Sequence, residues 1–138
     1  MHPSLAKALA IIEIERAAAE YTDAFDAVRE VVLAFGQLNL ANRLFSEIPR
    51  TVPAERVAQL FDFLAWQTDD NGAAMMREIE HWLREGQDTR KLVIAMGLQV
   101  LPFPDAHEMY HVLSTLALTT PQVAQRCQEL IALRKARV

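Results

Sequence analysis

The apolar residues of this chain recur every three or four positions and almost nowhere alternate. That is the period of an amphipathic helix rather than a strand, so the chain reads as all-α. The first predicted helix covers residues 4–20, with Ser4 as its N-cap. Leu5, Leu9 and Ile12 make one stripe on it, and Ile11, Ile14 and Tyr21 a second. A helix apolar on two sides packs against two neighbours or against another copy. A second helix opens at Thr22 with the stripe Tyr21, Phe25, Val28, Val32 and Phe35. Its phase runs on through Leu38, Ala41, Leu44, Phe45 and Ile48. Gly36 interrupts it at a cost of only about 1 kcal/mol, so one long or kinked helix is expected.

Pro49 and Pro53 frame a loop, and a third helix is predicted over 53–67 with Val57, Leu60, Phe61 and Leu64 inward. Asp69-Asp70-Asn71-Gly72 is turn chemistry. The fourth helix runs to residue 85 on Met75, Met76, Ile79, Trp82 and Leu83, with Gly86 as its C-terminal cap. Asp88 caps a fifth over 89–101 that is apolar all round and is expected to be the most buried. Pro102 and Pro104 break it. Asp105 and Glu108, spaced as a capping box, open a sixth helix to residue 118. Thr120-Pro121 opens a seventh, with Val123, Cys127 and Leu130 inward. The third and fourth helices match the fifth and sixth in apolar phase at an offset of about 33 or 34 residues, a period of helix-pair repeats. The expectation is six or seven helices in stacked antiparallel hairpins, as a bundle or a short HEAT-like array.

Composition narrows this further. With 138 residues, 51% of them hydrophobic and a net charge of -4, the chain is neither disordered nor long enough for two full domains. A single all-helical domain over 1–138 is expected. The lone Cys127 excludes an internal disulfide framework and reads as a small core hydrophobe. No apolar stretch approaches the roughly 20 residues that span a bilayer. Glu13, Glu15 and Arg16 cut short the early apolar run that a signal peptide would need. The expected location is cytoplasmic, with no membrane partner.

One motif carries sharp chemistry. His107-Glu108-Met109-Tyr110-His111 has the form H-E-x-x-H, which on a helix lets two imidazoles share a Zn²⁺ while the Glu activates water. It resembles the zincin metalloproteases over five residues; that resemblance implies His107 and His111 as ligands and Glu108 as base. The positions that would extend it to the metzincin form hold Ser114 and Ala117, and a third ligand would have to be as distant as Glu129. The stripe of Met109, Val112, Leu113 and Leu116 turns both histidines away from the core. The motif is therefore read as a chance match, with no metal, no cofactor and no catalysis expected. His81 and His2 read as surface histidines, and Asp69-Asp70-Asn71 lacks the spacing of a calcium loop.

Charge gives the competing idea. Residues 1–88 carry a net -7 and residues 89–138 a net +3. Glu13, Glu15, Glu20, Asp23, Asp26 and Glu30 cluster early, and Asp62, Asp69 and Asp70 follow. An acidic surface steers a basic partner and opposes phosphate, so nucleic acid is not expected. The basic residues Arg126, Arg134, Lys135 and Arg137 lie on the last helix, where they suit the helix dipole. Phe63 and Trp66 fall off the core stripe of their helix, and Phe103 sits between two prolines; each is a candidate exposed aromatic.

A small, acidic, motif-poor helical chain with helix pairs over 55–83 and 89–117 resembles the bacterial immunity proteins that neutralise a toxin by binding it. The resemblance implies a non-enzymatic protein whose acids meet a basic toxin domain and whose aromatics anchor it. The candidate contacts are Glu13, Glu20, Asp23, Asp26, Glu30, Asp62, Phe63, Trp66, Asp69, Asp70 and Tyr110. Two other readings stand beside it: a zinc hydrolase on the H-E-x-x-H motif, and a homo-oligomeric adaptor (a homodimer in its simplest form) built on the two-faced first helix.

Overall fold

The computed structural model describes residues 1–136, so Arg137 lies outside the described residues. They form α-helices and no strand: α1 (Pro3–Ala18), α2 (Ala24–Phe35), α3 (Leu40–Glu47), α4 (Ala54–Ala65), α5 (Ala73–Glu85), α6 (Thr89–Met96), α7 (Ala106–Thr119) and α8 (Pro121–Ala136). The all-α expectation holds, with eight helices among the described residues rather than six or seven. None is long and apolar enough to cross a membrane. The chain gathers into two compact units, Met1–Glu78 and Ile79–Val138, whose boundary falls inside α5.

The extra helix arises at Gly36. Its φ of 76° and ψ of 178° stop α2, and Asn39 at φ 54° starts α3 on a new axis. Arg43 of α3 donates to the Phe35 carbonyl and closes the corner. Leu38, which the phase had placed on the core stripe, is exposed on this turn. The expected single helix through 48 is corrected accordingly. A glycine in an extended-ψ, positive-φ conformation costs a helix more than the propensity figure allows, because it turns the chain out of the helix altogether.

In the first unit α1 packs on α2, and both pack on α4. Leu5, Ala8, Ile12, Val28, Val31, Leu44, Leu60 and Leu64 are buried at its centre. The inward face of α2 is Ala24, Ala27, Val28 and Val31, at the spacing i, i+3, i+4, i+7. Tyr21 and Phe25, assigned to the core by the larger-residue stripe, are each 37% exposed instead. Small alanines let α2 approach α1 and push the rings to its margin. The second stripe of α1 is also partly open: Ile11 is half-buried and Ile14 exposed, beside a shallow cleft with Val52 and Pro53.

In the second unit α7 packs on α8, and α6 also packs on α8. Ile79, Trp82, Leu83, Leu92, Ile94, Met109, Leu113, Cys127 and Leu130 form its core. The fifth predicted helix is shorter and less enclosed than expected. It ends at Met96, with Val93 and Val100 exposed. Three local caps fall as predicted, while Glu108, expected to complete a capping box with Asp105, gives both its oxygens to Arg84 instead. Asp88 accepts from the Lys91 amide, Asp105 from the His107 amide, and Gly86 at φ 64° follows α5. At the start of α1 the cap is His2 rather than Ser4: its Nδ1 accepts from the Ser4 amide at 3.1 Å.

Three glutamates have internal destinations that no local pattern announces. Glu15 of α1 is buried and accepts from the amides of Thr22, Asp23 and Ala24 at 2.6, 2.8 and 2.6 Å. It thereby supplies the N-terminal cap of α2 that had been expected of Thr22. Glu78 does the same for α3, accepting from the amides of Ala41 and Asn42 at 3.3 and 3.1 Å. Glu80, also buried, accepts from the Phe103 amide at 2.7 Å. A carboxylate that accepts free helix amides satisfies donors that would otherwise be orphaned and sits at the positive end of the helix dipole.

Candidate functional site

Glu15 also shapes the strongest candidate surface. Ala19 at φ 56° ends α1, and its amide donates to the Arg16 carbonyl. The chain then turns back and is pinned by Glu15 at residues 22–24. Burial alone would raise the Glu15 pKa, but the amides of Thr22, Ala24 and Asp23 and the Thr22 hydroxyl outweigh it and hold it below its ordinary value. The pinned turn sets the Tyr21 and Phe25 rings against Phe63 of α4. Centroids lie 5.0 Å apart at a tilted 56° for Tyr21 and 4.9 Å apart, edge-to-face at 79°, for Phe25, both within the separation of favourable ring pairs.

Trp66 lies at the C-terminal end of α4, one turn beyond Phe63, and is 71% exposed. The neighbouring Gln67 accepts from Arg29 of α2 at 3.4 Å, which ties this corner to the same helix that carries Phe25. Acids border the rings. Glu20 and Asp23 flank Tyr21 in an exposed loop, Asp26 follows Phe25, and Asp62 precedes Phe63. Among the described residues the Glu20 and Asp23 carboxylates form no ion pair, while Asp26 meets Arg29 at 3.7 Å. The result is an aromatic patch with an acidic margin.

The remaining candidates lie elsewhere or are already engaged. Glu13 pairs with the buried Arg56, and Glu30 pairs with Lys7 at 3.1 Å. Asp70 accepts from the amides of Gly72 and Ala74 and from the Thr68 hydroxyl; the Ala74 amide, with Thr68, Gly72 and Ala73, holds its carboxyl below the ordinary value against a smaller effect of burial. Asp69 is exposed on the same turn. Tyr110 is exposed on α7 of the second unit, with the Lys135 ammonium 5.5 Å from its ring centre. Phe103 is corrected outright: at 1% exposure it is a core residue of the second unit, not a loop anchor.

The H-E-x-x-H residues do not converge. Both Glu108 oxygens are taken by Arg84, at 3.0 Å from Nε and 3.1 Å from Nη2. This bidentate pair raises the guanidinium's pKa and occupies the oxygens a general base would need. His107 and His111 are exposed and border different clefts, His107 with Ile131 and Lys135, His111 with Leu83 and Thr115. Among the described residues no three His, Cys, Asp or Glu side chains gather around one point. Glu129, the most distant ligand candidate, accepts instead from Gln125 and Arg126 on its own helix. No family model matches this chain. Neither does any curated protein or solved structure.

Off the core stripe as expected, Phe63 is half-buried and Trp66 exposed, whereas Tyr21 and Phe25, expected in the core, reach the surface. The signal was present in the alanines of α2: Ala24 and Ala27 complete an i, i+3, i+4, i+7 face with Val28 and Val31, and that face leaves Phe25 at its edge. Nothing local signalled Arg84 on Glu108, a contact 24 residues apart.

Proposed function

We propose that this protein is a non-enzymatic binding protein of the immunity type, which neutralises a cognate toxin through the acidic aromatic face of its first unit. One observation carries the reading: Tyr21 and Phe25 pack at steep angles on Phe63, all three partly open beside an exposed Trp66, and Glu20, Asp23 and Asp26 edge them. Rigid, half-exposed aromatics are costly to leave in water and are favoured as interface anchors. The Glu20 and Asp23 carboxylates, without an ion pair among the described residues, attract a basic partner and select against an acidic one. In this reading the protein acts in a bacterial cytoplasm, its helices stack as hairpins behind the face, and it needs no cofactor. The bidentate hold of Arg84 on Glu108 weighs against the hydrolase reading.

The test pairs this protein with the product of the adjacent gene. Co-expression should relieve that product's toxicity, and calorimetry should give a one-to-one complex. Trp66→Ala should weaken it by about 2 kcal/mol or more, the usual threshold of an interface hot spot. Asp23→Lys should slow association and lessen its salt dependence. A neighbour without toxicity removes the immunity reading. A Trp66→Ala, Asp23→Lys double variant that binds as tightly as the parent removes this face.

A further inference from the structure

The second unit holds a cleft of about 220 Å³ between α7 and α8. Its floor is apolar, made by Ala106, Met109 and Ile131. Its rim is cationic. Arg134 lines it with donors turned to the carbonyls of Phe103 and Pro104, and Lys135 lies over the Tyr110 ring. Among the described residues neither Arg134 nor Lys135 forms an ion pair, in contrast to Lys7, Arg56 and Arg84. His107 adds an imidazole to the same rim, its backbone amide being the one Asp105 caps. Two positive charges with no counter-charge among the described residues, over an apolar floor, define a complementary ligand: an apolar body with one anionic group.

The volume limits its size. Drug-sized ligands occupy roughly 300–1,000 Å³, so a cleft of 220 Å³ takes a single ring or a short alkyl chain. Inorganic phosphate would leave the Met109 and Ile131 floor uncovered, and a neutral hydrocarbon would leave the rim charges unanswered. We propose that this cleft binds a small aryl or alkyl carboxylic acid, with its apolar body between Tyr110 and Ile131 and its carboxylate facing Lys135 and His107. The Tyr110 ring, exposed and with the Lys135 ammonium 5.5 Å from its centre, is then a stacking wall for the ligand.

The experiment is an NMR titration of the full chain with 4-phenylbutyrate, and in parallel with its neutral analogue 4-phenylbutan-1-ol. Saturable amide shifts centred on Ala106, Tyr110 and Ile131 are expected, with the acid bound about fivefold more tightly than the alcohol, the reach of a partly exposed ion pair. Lys135→Gln, a change at an exposed side chain that leaves the core intact, should abolish most of that preference while the alcohol binds as before. Raising the salt should lower affinity for the acid alone. Equal affinity for acid and alcohol overturns the proposal. So do shifts centred outside the cleft, the absence of saturation, or displacement of the acid by equimolar inorganic phosphate.

Discussion

Phe103 offers the sharpest test of how the second unit is held together. It is buried at 1% exposure, yet its φ is 62°, a region that L side chains with bulk avoid. Three contacts hold it there. The Glu80 carboxylate accepts its amide at 2.7 Å, Arg134 donates to its carbonyl, and the Arg84 guanidinium lies 5.0 Å from its ring centre. Removing the ring by Phe103→Ala should cost about 3–5 kcal/mol, the range for truncating a buried aromatic. Phe103→Gly removes the same ring but also the left-handed strain, worth about 1–2 kcal/mol. Against that stands an unfolded-state entropy cost of about 0.4–1 kcal/mol. The glycine variant should therefore match or exceed the alanine variant, by up to about 1.6 kcal/mol, the reverse of the usual order at a buried site. Glu80→Gln keeps an acceptor but loses the charge, and should cost about 1–2 kcal/mol. Urea denaturation followed by far-ultraviolet circular dichroism measures all three. An alanine variant less than about 1 kcal/mol below the parent, or a glycine variant clearly below the alanine one, would refute the reasoning.

Three further outcomes follow from the same geometry. Glu15 has a folded pKa below its ordinary 4.5, so the stability it contributes is present above that value and is lost as pH falls through the folded pKa. Glu15→Gln should be less stable than the parent at pH 7, with the gap closing in acid; a gap that is the same at both ends of the range contradicts the assigned role. At Gly72, φ is 83° and an added Cβ would lie 2.6 Å from the Ala65 Cβ, so Gly72→Ala should lower stability by about 1–3 kcal/mol in thermal melts. Burial pushes the Cys127 thiol up to about 11, and its sulfur lies 3.6 Å from that of Met96. A disulfide reagent at pH 8 should leave it unmodified in the native protein and react at once in guanidinium.

Much of the helical layout was legible because helix formation obeys local rules. The stripes of α4, α5 and α8 repeat within a single turn, and Asp88, Asp105 and Gly86 act on groups at most a few residues away. The errors fall where a local rule met a competing one. Phase alone carried the second helix across Gly36, although the backbone there leaves the helix. Size alone put Tyr21 and Phe25 inside, although alanines made the closer-packing face. Flanking prolines made Phe103 look like an exposed tip, whereas a glutamate 23 residues away draws its amide inward.

For the candidate surface, the sequence by itself determined the helical class, the acidic first part of the chain and the presence of Phe63 and Trp66 off the core stripe. Only the tertiary structure decided which acids are claimed by other groups of the chain. Glu15, Glu78 and Glu80 went to backbone amides, and Glu13, Glu30 and Glu108 went to Arg56, Lys7 and Arg84. The physical reason is reach. Apolar periodicity is a property of neighbours along the chain, whereas a carboxylate is claimed by whichever donor or cation folding brings within about 3 Å of it.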